Sequence, residues 1–312
     1  MLALIDAGIE VERYVAYEID KYAIQTSTHN FPLIEHMGDV FCADFTQYVG
    51  FDFLIGGSPC THWSITKKGR EVEAKGAGWD LFSQFVRALK ESRPKFFIYE
   101  NNKSMSADIR ASISREFGFD PYCINSDTVS AQYRQRLYWI GRRNQDGTYS
   151  KVSVQLPDRC SVQVSDILSQ RGHAAYPLNT VGGKSYAIKK NYYKSSITNF
   201  INGPLHYPQT GAAVFVGNNV SQSSIVMDGK SHRVYHVCDG SIMVDGQILP
   251  VNLKDGCYII RKLTIAECKS LQNIPEWYEF PVADTRAVMM LGNGWTVGVI
   301  SYLIKATQSG NT

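Results

Sequence analysis

The stretch "FDFLIGGSPC", residues 51–60, decides the fold. A short apolar run stops at two glycines and shows no alternation with polar residues. Such a run suits a strand covered on both faces, as in parallel sheets. Two more follow: "KFFIYEN" at 95–101, with an acid at its end, and "RLYWIGRR" at 136–143. Between the first two lies "DLFSQFVRALKESRP" (80–94). Its Leu81, Phe82, Phe85, Val86 and Leu89 share one helical face, and Pro94 lies just beyond its end. Upstream, "RYVAYEI" (13–19) reads as a strand leading to Glu18 and Asp20, and "KYAIQTSTHNF" (21–31) has helical spacing. This alternation predicts an α/β fold with a doubly wound, mostly parallel sheet, whose sites lie beyond the strand C-termini.

The character changes after about residue 150. Residues 151–260 are rich in Gly, Ser, Asn and Tyr, with short strand-like runs "AAVFVG", "SIMVDG", "QILPVNL" and "GCYIIR". They predict a smaller, irregular, β-rich domain. Helical spacing returns from residue 262 in "TIAECKSLQ" and "WTVGVISYLIKA". "KKNYYK" (189–194) reads as a solvated loop, or as a nucleic-acid face on which each stacked base is worth about 1–3 kcal/mol.

Composition sets outer limits. The chain has 312 residues, 44% of them apolar, which is ample for a real core. A net charge of +3 is not the strongly basic signature of a phosphate-bound protein, though a local basic groove fits it. No run approaches the roughly 20 apolar residues of a membrane span, so no membrane partner is expected. "MLALIDAGIEVERY" is too short and acidic for a signal peptide. The seven cysteines (Cys42, Cys60, Cys123, Cys160, Cys238, Cys257 and Cys268) include no CxxC pair. A zinc ribbon or disulfide framework is therefore not expected, and a reducing, cytoplasmic setting is. "HRVYH" (232–236) offers two histidines but no third ligand, so it reads as structural or nucleic-acid-facing, and no metal is expected.

Cys60 follows a proline where the first apolar run ends. A thiol attacks only as thiolate, and its free pKa is about 8.5. Alone, such a cysteine is more often a small buried hydrophobe. Two downstream features change that reading. Glu100 ends a neighbouring strand, and "QYRQR" carries Gln132, Arg134 and Arg136 into another, the spacing of two turning them to one face. A nucleophile, an acid and two guanidiniums are thus expected at one sheet edge.

With these residues in order, the chain resembles the DNA (cytosine-5)-methyltransferases over most of its length. "GGSPC" matches the catalytic Pro-Cys motif, "ENN" stands at Glu-Asn-Val, and "QYRQR" matches Gln-x-Arg-x-Arg. "RKLTIAECKSLQNIP" (261–275) resembles the Arg-x-Leu-Thr-x-x-Glu-x-x-x-Leu-Gln-Gly-Phe-Pro block, and "LGNGWTVGVI" (291–300) the final Gly-Asn motif. The resemblance implies a catalytic domain of residues 1–150 plus 261–312, of the S-adenosylmethionine-dependent methyltransferase type, and a target recognition domain of residues 151–260. It implies methyl transfer from S-adenosylmethionine to C5 of a cytosine flipped out of duplex DNA, through a covalent bond from Cys60 to C6. Glu100 would bind the base edge and supply a proton, Arg136 would hold O2, and Arg134 would assist or hold phosphate. The segment "HWSITKKGREVEAKGAG" (62–78) resembles the loop that closes over the base, with Lys67, Lys68 and Arg70 toward phosphates. Glu18, Ile19, Asp39, Val40, Pro59, Leu81 and Asn293 would form the cofactor pocket. A monomer in a bacterial or phage-infected cell is expected, and a cognate restriction endonuclease is a partner compatible with it.

The sequence departs from the family at points. The family begins with a strand and a Phe-x-Gly-x-Gly loop, whereas "MLALIDAGIEVERYVAYEID" resembles the helix after that loop. The expectation is a native start upstream of Met1. The alternative is a catalytically deficient methyltransferase-like protein that binds DNA or regulates a partner without the glycine loop. Thr61 replaces Gln or Asn, Asn102 replaces Val, "QNIP" lacks a glycine, and "GNGW" has Gly where Ser or Ala is common. A folate-dependent pyrimidine synthase, raised by "PCTH" (59–62), does not fit the downstream motifs.

Overall fold

A computed structural model of the chain describes residues 1–59, 62–65, 68–168, 173–203 and 208–308. Cys60 and Lys67 lie outside the described residues. By internal contacts the chain divides into two units: Met1–Asn125, Gln135–Asp158 and Val299–Thr312 form the first, Ser126–Arg134 and Arg159–Gly298 the second.

Along the chain come α1 (Leu2–Asp6), β1 (Val15–Ala16), α2 (Lys21–Asn30), β2 (Glu35–His36), β3 (Phe53–Gly56), α3 (Ala77–Ser92), β4 (Phe96–Asn102), α4 (Ala107–Phe117), β5 (Tyr122–Asn125), β6 (Gln132–Tyr133), β7 (Gln135–Arg143) and β8 (Tyr149–Lys151). All but β6 belong to the first unit. Its main sheet has the order β3-β4-β7-β5, with β8 beside β7, while β1 and β2 form a parallel pair of their own. β3 runs parallel to β4, but β7 is antiparallel to β4, β5 and β8. The sheet is therefore mixed: β3, β4, β5 and β8 run in one direction and β7 opposes them. The connections account for two of these pairings. A helical crossover, α3, joins β3 to β4, whereas β7 turns directly into β8 through a tight loop closed by Asn144 N–H to Thr148 O at 2.8 Å. Parallel neighbours need a crossover of a dozen or more residues; a short turn forces antiparallel pairing.

The first core gathers on this sheet. Phe82, Phe85 and Leu89 of α3 bury against Phe97 and Tyr99 of β4, Phe117 of α4 and Trp139 of β7. Their rings meet mostly edge-on or tilted, the preferred aromatic geometry. Ser106 caps α4 by accepting from Ile109 N–H, and Gly118 ends it at φ +83°. A second, smaller cluster around Phe45 and Tyr48 takes in Val15, Tyr17, Phe51 and Leu54. β1 pairs with β2 over two residues only, so most of the 13–19 run is not laddered.

The second unit contains α5 (Val164–Ile167), β9 (Ala175–Leu178), β10 (Thr180–Val181), β11 (Lys184–Tyr186), α6 (Ile197–Asn202), β12 (Gly211–Gly217), β13 (Ser224–Met227), β14 (Lys230–Cys238), β15 (Ser241–Val244), β16 (Gln247–Pro250), β17 (Gly256–Arg261), α7 (Ile265–Leu271) and α8 (Asp284–Asn293). The last helix, α9 (Val297–Gln308), starts in this unit and continues into the first. The expected irregular structure is instead an antiparallel sheet of order β16-β15-β14-β17-β12-β9, with β13 paired to β14. Three Asp-Gly turns set its register. Asp228-Gly229, Asp239-Gly240 and Asp245-Gly246 all have positive φ at both residues, and they join Met227 to Lys230, Cys238 to Ser241 and Val244 to Gln247 as opposed pairs. Two-residue turns of this kind match the strand twist.

Sequence reading groups residues 261–312 with residues 1–150. By contacts only Val299–Thr312 joins the first unit. Leu271, Val288 and Leu291 of α7 and α8 bury in the same cluster as Ala213, Tyr258 and Ile260 of the second sheet. The stretch Asp284–Gln308 is long and apolar enough to cross a membrane, yet it is broken between α8 and α9, and 50% of its apolar window is buried in the protein.

Candidate active site

The site begins where β3 ends. Gly56 and Gly57 are required by what lies beside them: a Cβ on Gly57 would sit 2.6 Å from Glu100 O, and one on Gly56 would press on Phe85 at 3.0 Å. The missing side chains let residues 57–59 run against the end of β4. Ser58 is then fastened by β4. Its hydroxyl lies 2.6 Å from Tyr99 Oη, and Asn101 Nδ2 donates to Ser58 O at 3.1 Å. Tyr99 and Asn101 are fully buried, and burial raises the Tyr99 hydroxyl pKa well above its ordinary value, so it stays protonated. This buried polar net holds the turn that leads into Pro59, which is exposed, and Cys60. Sequence reading missed Ser58, Tyr99 and Asn101, because nothing in "IYEN" marks which polar groups face the neighbouring turn.

Glu100 lies between them on β4, 8% exposed. Its Oε1 is 3.1 Å from Arg136 Nε. Antiparallel register makes the pair, since Asn102 opposes Arg136 and Glu100 opposes Tyr138. A buried carboxylate against a half-buried guanidinium is a charge-assisted contact in low dielectric. Asn102, in place of the family's valine, accepts at Oδ1 from the Ser104 hydroxyl at 2.8 Å. That gives the polar substitution a partner.

The segment after Cys60 is anchored at its base. Trp63 is fully buried in the first core. Its indole donates to Glu71 Oε2 at 3.1 Å, and Glu71 also accepts from Gly78 N–H at 3.1 Å, in the first turn of α3. A carboxylate suits a helix N-terminus. Arg70, expected to face phosphate, donates instead to Trp63 O and Ser104 O, and is half-buried; Lys68 is exposed. Glu71 was not singled out by sequence, though an acid shortly before a helix start is the signal that marks it.

The expected cofactor residues of the first unit sit at strand ends. β1 and β2 are parallel, with Ala16 opposite His36, so Glu18 and Ile19 leave one strand at the end where Asp39 leaves the other. Glu18 Oε1 accepts from Ile19 N–H and Asp20 N–H, both at 2.8 Å, which holds the carboxylate in one pose. Ile19 is 75% exposed. Asp39 is exposed and caps a short 3-10 turn through Phe41 N–H at 3.0 Å. Val40 is half-buried against the Phe45 cluster, and Leu81 is half-buried on α3. Two hydrogen-bond-accepting carboxylates and an open aliphatic face fit ribose hydroxyls, an exocyclic amine and a purine ring. Asn293 belongs to the second unit, at the end of α8.

Gln132, Arg134 and Arg136 do not share a strand face. Gln132 pairs with Ser185 on β11, in a separate small sheet, while Arg136 lies in β7. Arg134 falls between the two strands, is buried, and donates to backbone carbonyls of its own unit. "KKNYYK" also divides. Tyr192 is a core residue whose hydroxyl donates to Thr210 O at 2.7 Å and accepts from Leu263 N–H at 2.8 Å; Lys190 and Lys194 are exposed. His236 Nδ1 lies 3.4 Å from Cys257 Sγ. Among the described residues, three metal-ligand atoms converge only at Cys238, Asp239 and Asp255, which are all exposed. "QNIP" replaces a glycine by Asn273 at φ +54°, a conformation asparagine tolerates.

Solved methyltransferases share this fold. A putative DNA modification methyltransferase from an Escherichia coli prophage superposes with TM-score 0.58 at 21% identity, covering 99% of this chain and 94% of that one. The Entamoeba histolytica methyltransferase EhMeth gives 0.61 at 13%, covering 99% and 95%. The family model described as C-5 cytosine-specific DNA methylase matches residues 1–309, and the chain belongs to that family. The type II methyltransferase M1.ScrFI of Lactococcus lactis subsp. cremoris is 26% identical over 302 residues, 93% of this chain and 70% of that protein. The orphan methyltransferase M.SPRI of Bacillus phage SPR is 37% identical over 155 residues, 45% of this chain. The match spans about a third of that phage protein (34%) and of its relative from Bacillus phage rho11s (30%).

Proposed function

We propose that this protein methylates C5 of cytosine in duplex DNA, with S-adenosylmethionine as methyl donor. The observation that carries the reading is the Glu100–Arg136 pair, 3.1 Å apart, beside the residue 57–59 turn that leads into Cys60. Cytosine C5 is a poor nucleophile. Addition of the Cys60 thiolate to C6, with a proton placed on N3 through Glu100, converts the ring to an enamine. Arg136 compensates charge on O2 and on Glu100. C5 then takes the methyl group as the sulfonium bond breaks. Loss of the C5 proton to a base and elimination across C5–C6 release the thiolate. The base leaves the stack for this, at a cost of a few kcal/mol. Glu18 would hold ribose hydroxyls, Asp39 the adenine amine and Ile19 the ring, with Val40, Pro59 and Leu81 completing the pocket; Asn293, on the second unit, would be a cofactor contact in its own right. Residues 151–260 would read the DNA target.

The test is transfer of labelled methyl from S-adenosylmethionine to duplex DNA, with 5-fluorocytosine duplexes as trap. Fluorine cannot leave C5 as a proton does, so a protein–DNA adduct should accumulate and survive denaturation. DNA binding with neither label transfer nor adduct, in a protein that binds S-adenosylmethionine, would defeat the reading and leave a DNA-binding protein.

A further inference from the structure

Helix α8 ends at Asn293, and the last carbonyls of a helix have no partner within it. Here side chains from other segments of the second unit take them. Gln272 Nε2 donates to Leu291 O at 2.7 Å. Arg134 donates to Gly292 O at 3.1 Å, to Gly294 O at 2.8 Å and to Ile188 O at 3.2 Å. Gln272 Oε1 accepts from the Thr296 hydroxyl at 2.9 Å, and Gln272 O accepts from Val297 N–H at 2.9 Å. Ser126 closes the net: its hydroxyl lies 2.7 Å from Thr296 Oγ1, and its N–H donates to Arg134 O at 3.0 Å. Ser126, Arg134, Gln272 and Thr296 are all buried. Gly292 is locked sterically as well, because a Cβ there would lie 2.3 Å from Lys190 N. Within this clamped turn Asn293 is exposed.

The planar guanidinium holds three carbonyls at fixed spacing: Nη2 donates to Gly292 O and Gly294 O, and Nη1 to Ile188 O, an arrangement that a flexible ammonium does not fix. It also places positive charge at the negative end of α8. We propose that Arg134 is a positioning residue: it holds the turn after α8 so that the Asn293 amide is presented to S-adenosylmethionine. This rests on reading Asn293 as a cofactor contact. It removes Arg134 from the groups that touch the base or phosphate.

The test compares Arg134→Met, Arg134→Lys, Asn293→Ala and the Met/Ala double variant with the 312-residue protein. Calorimetry gives S-adenosylmethionine affinity, steady-state kinetics give kcat and both KM values, and hydrogen exchange follows residues 291–297. Arg134→Met and Asn293→Ala should each weaken S-adenosylmethionine binding about tenfold, as losing a charge-assisted hydrogen bond does. The DNA KM should not move, and the double variant should be no worse than the worse single one. Arg134→Lys should recover part of the loss. Exchange at 292–296 should rise in Arg134→Met while β12 and β17 stay protected. A raised DNA KM with intact cofactor binding, additive effects, or unchanged exchange at 292–296 would overturn the proposal. So would exchange that spreads through β12 and β17, since Arg134 would then support the whole unit. If Asn293→Ala leaves cofactor binding intact, or the unaltered protein binds none, the cofactor reading fails and the proposal with it. If Asn293→Ala weakens binding and Arg134→Met does not, the proposal alone fails.

Discussion

Arg134 and Arg136 stand two residues apart, and their side chains have different surroundings. Arg136 sits in β7 and pairs with a carboxylate, Glu100, across an antiparallel ladder. Arg134 sits between strands and spends its guanidinium on three backbone carbonyls. In the proposed reaction the first would respond to charge that develops on the base. The other closes a helix end. The comparison teaches that a motif can hold residues of one type for separate reasons, and that spacing alone does not tell them apart. Strand alternation would turn both side chains to one face, but the ladder changes partner at residue 134, from β11 to β4.

The largest effect tests what both arginines serve. Cys60→Ser should lower methyl transfer by at least about 10⁴-fold, on the scale seen when a nucleophile is lost, with cofactor and DNA binding retained. Single-turnover label transfer reads it; a residual rate within tenfold of the unaltered protein would mean that no covalent step occurs. Next, Glu100→Gln and Arg136→Met should each reduce kcat by about 10²–10⁴-fold, the worth of a placed acid or electrostatic partner, without weakening S-adenosylmethionine binding. If Arg136→Met instead copies the Arg134→Met signature in cofactor binding, the contrast between the two arginines disappears.

Smaller effects concern the frame around the Glu100 region. Trp63→Ala should destabilise the protein by about 3–5 kcal/mol, because a fully buried ring leaves a cavity and strands the Glu71 carboxylate. Urea unfolding followed by circular dichroism measures it, and a loss under about 1 kcal/mol would show that the anchor is dispensable. The smallest is a pH effect. Burial and the contact with Tyr48 push the Tyr17 hydroxyl up to about 12. The unfolded chain ionises this group near its ordinary value of 10. Its contribution to stability is therefore complete below pH 10 and shrinks as pH rises toward 12. Between pH 9 and 11 the Tm of Tyr17→Phe should fall less than that of the unaltered protein; an equal fall would assign the alkaline loss elsewhere.

Much of the frame was legible in the residues. α2, α3, β3, β4, β7, β12, β15, β16, β17, α7 and α9 lie where apolar runs and helical spacing put them. Glu100 and Arg136 were legible as a pair of strand-end charges. The hairpins of the second sheet were legible too, in three Asp-Gly pairs whose positive φ only such turns require, but they went unread amid the Gly- and Ser-rich composition. The antiparallel sense of β7 was not marked. An apolar run such as "LYWIG" (137–141) is buried on both faces in either direction, so its burial is silent about orientation.

By itself the sequence determined where strands and helices form, which motifs occur in order, and therefore the family. Those features depend on local periodicity and on residue types that chemistry demands. Tertiary structure alone decided which charge meets which partner. Glu100 finds Arg136 through ladder register, Glu71 finds Trp63 and Gly78 through the return of a loop, and Arg134 finds the end of α8 from 158 residues away. Such pairings arise from three-dimensional proximity between segments distant in sequence. Buried polar groups must be satisfied, but nothing local says by whom.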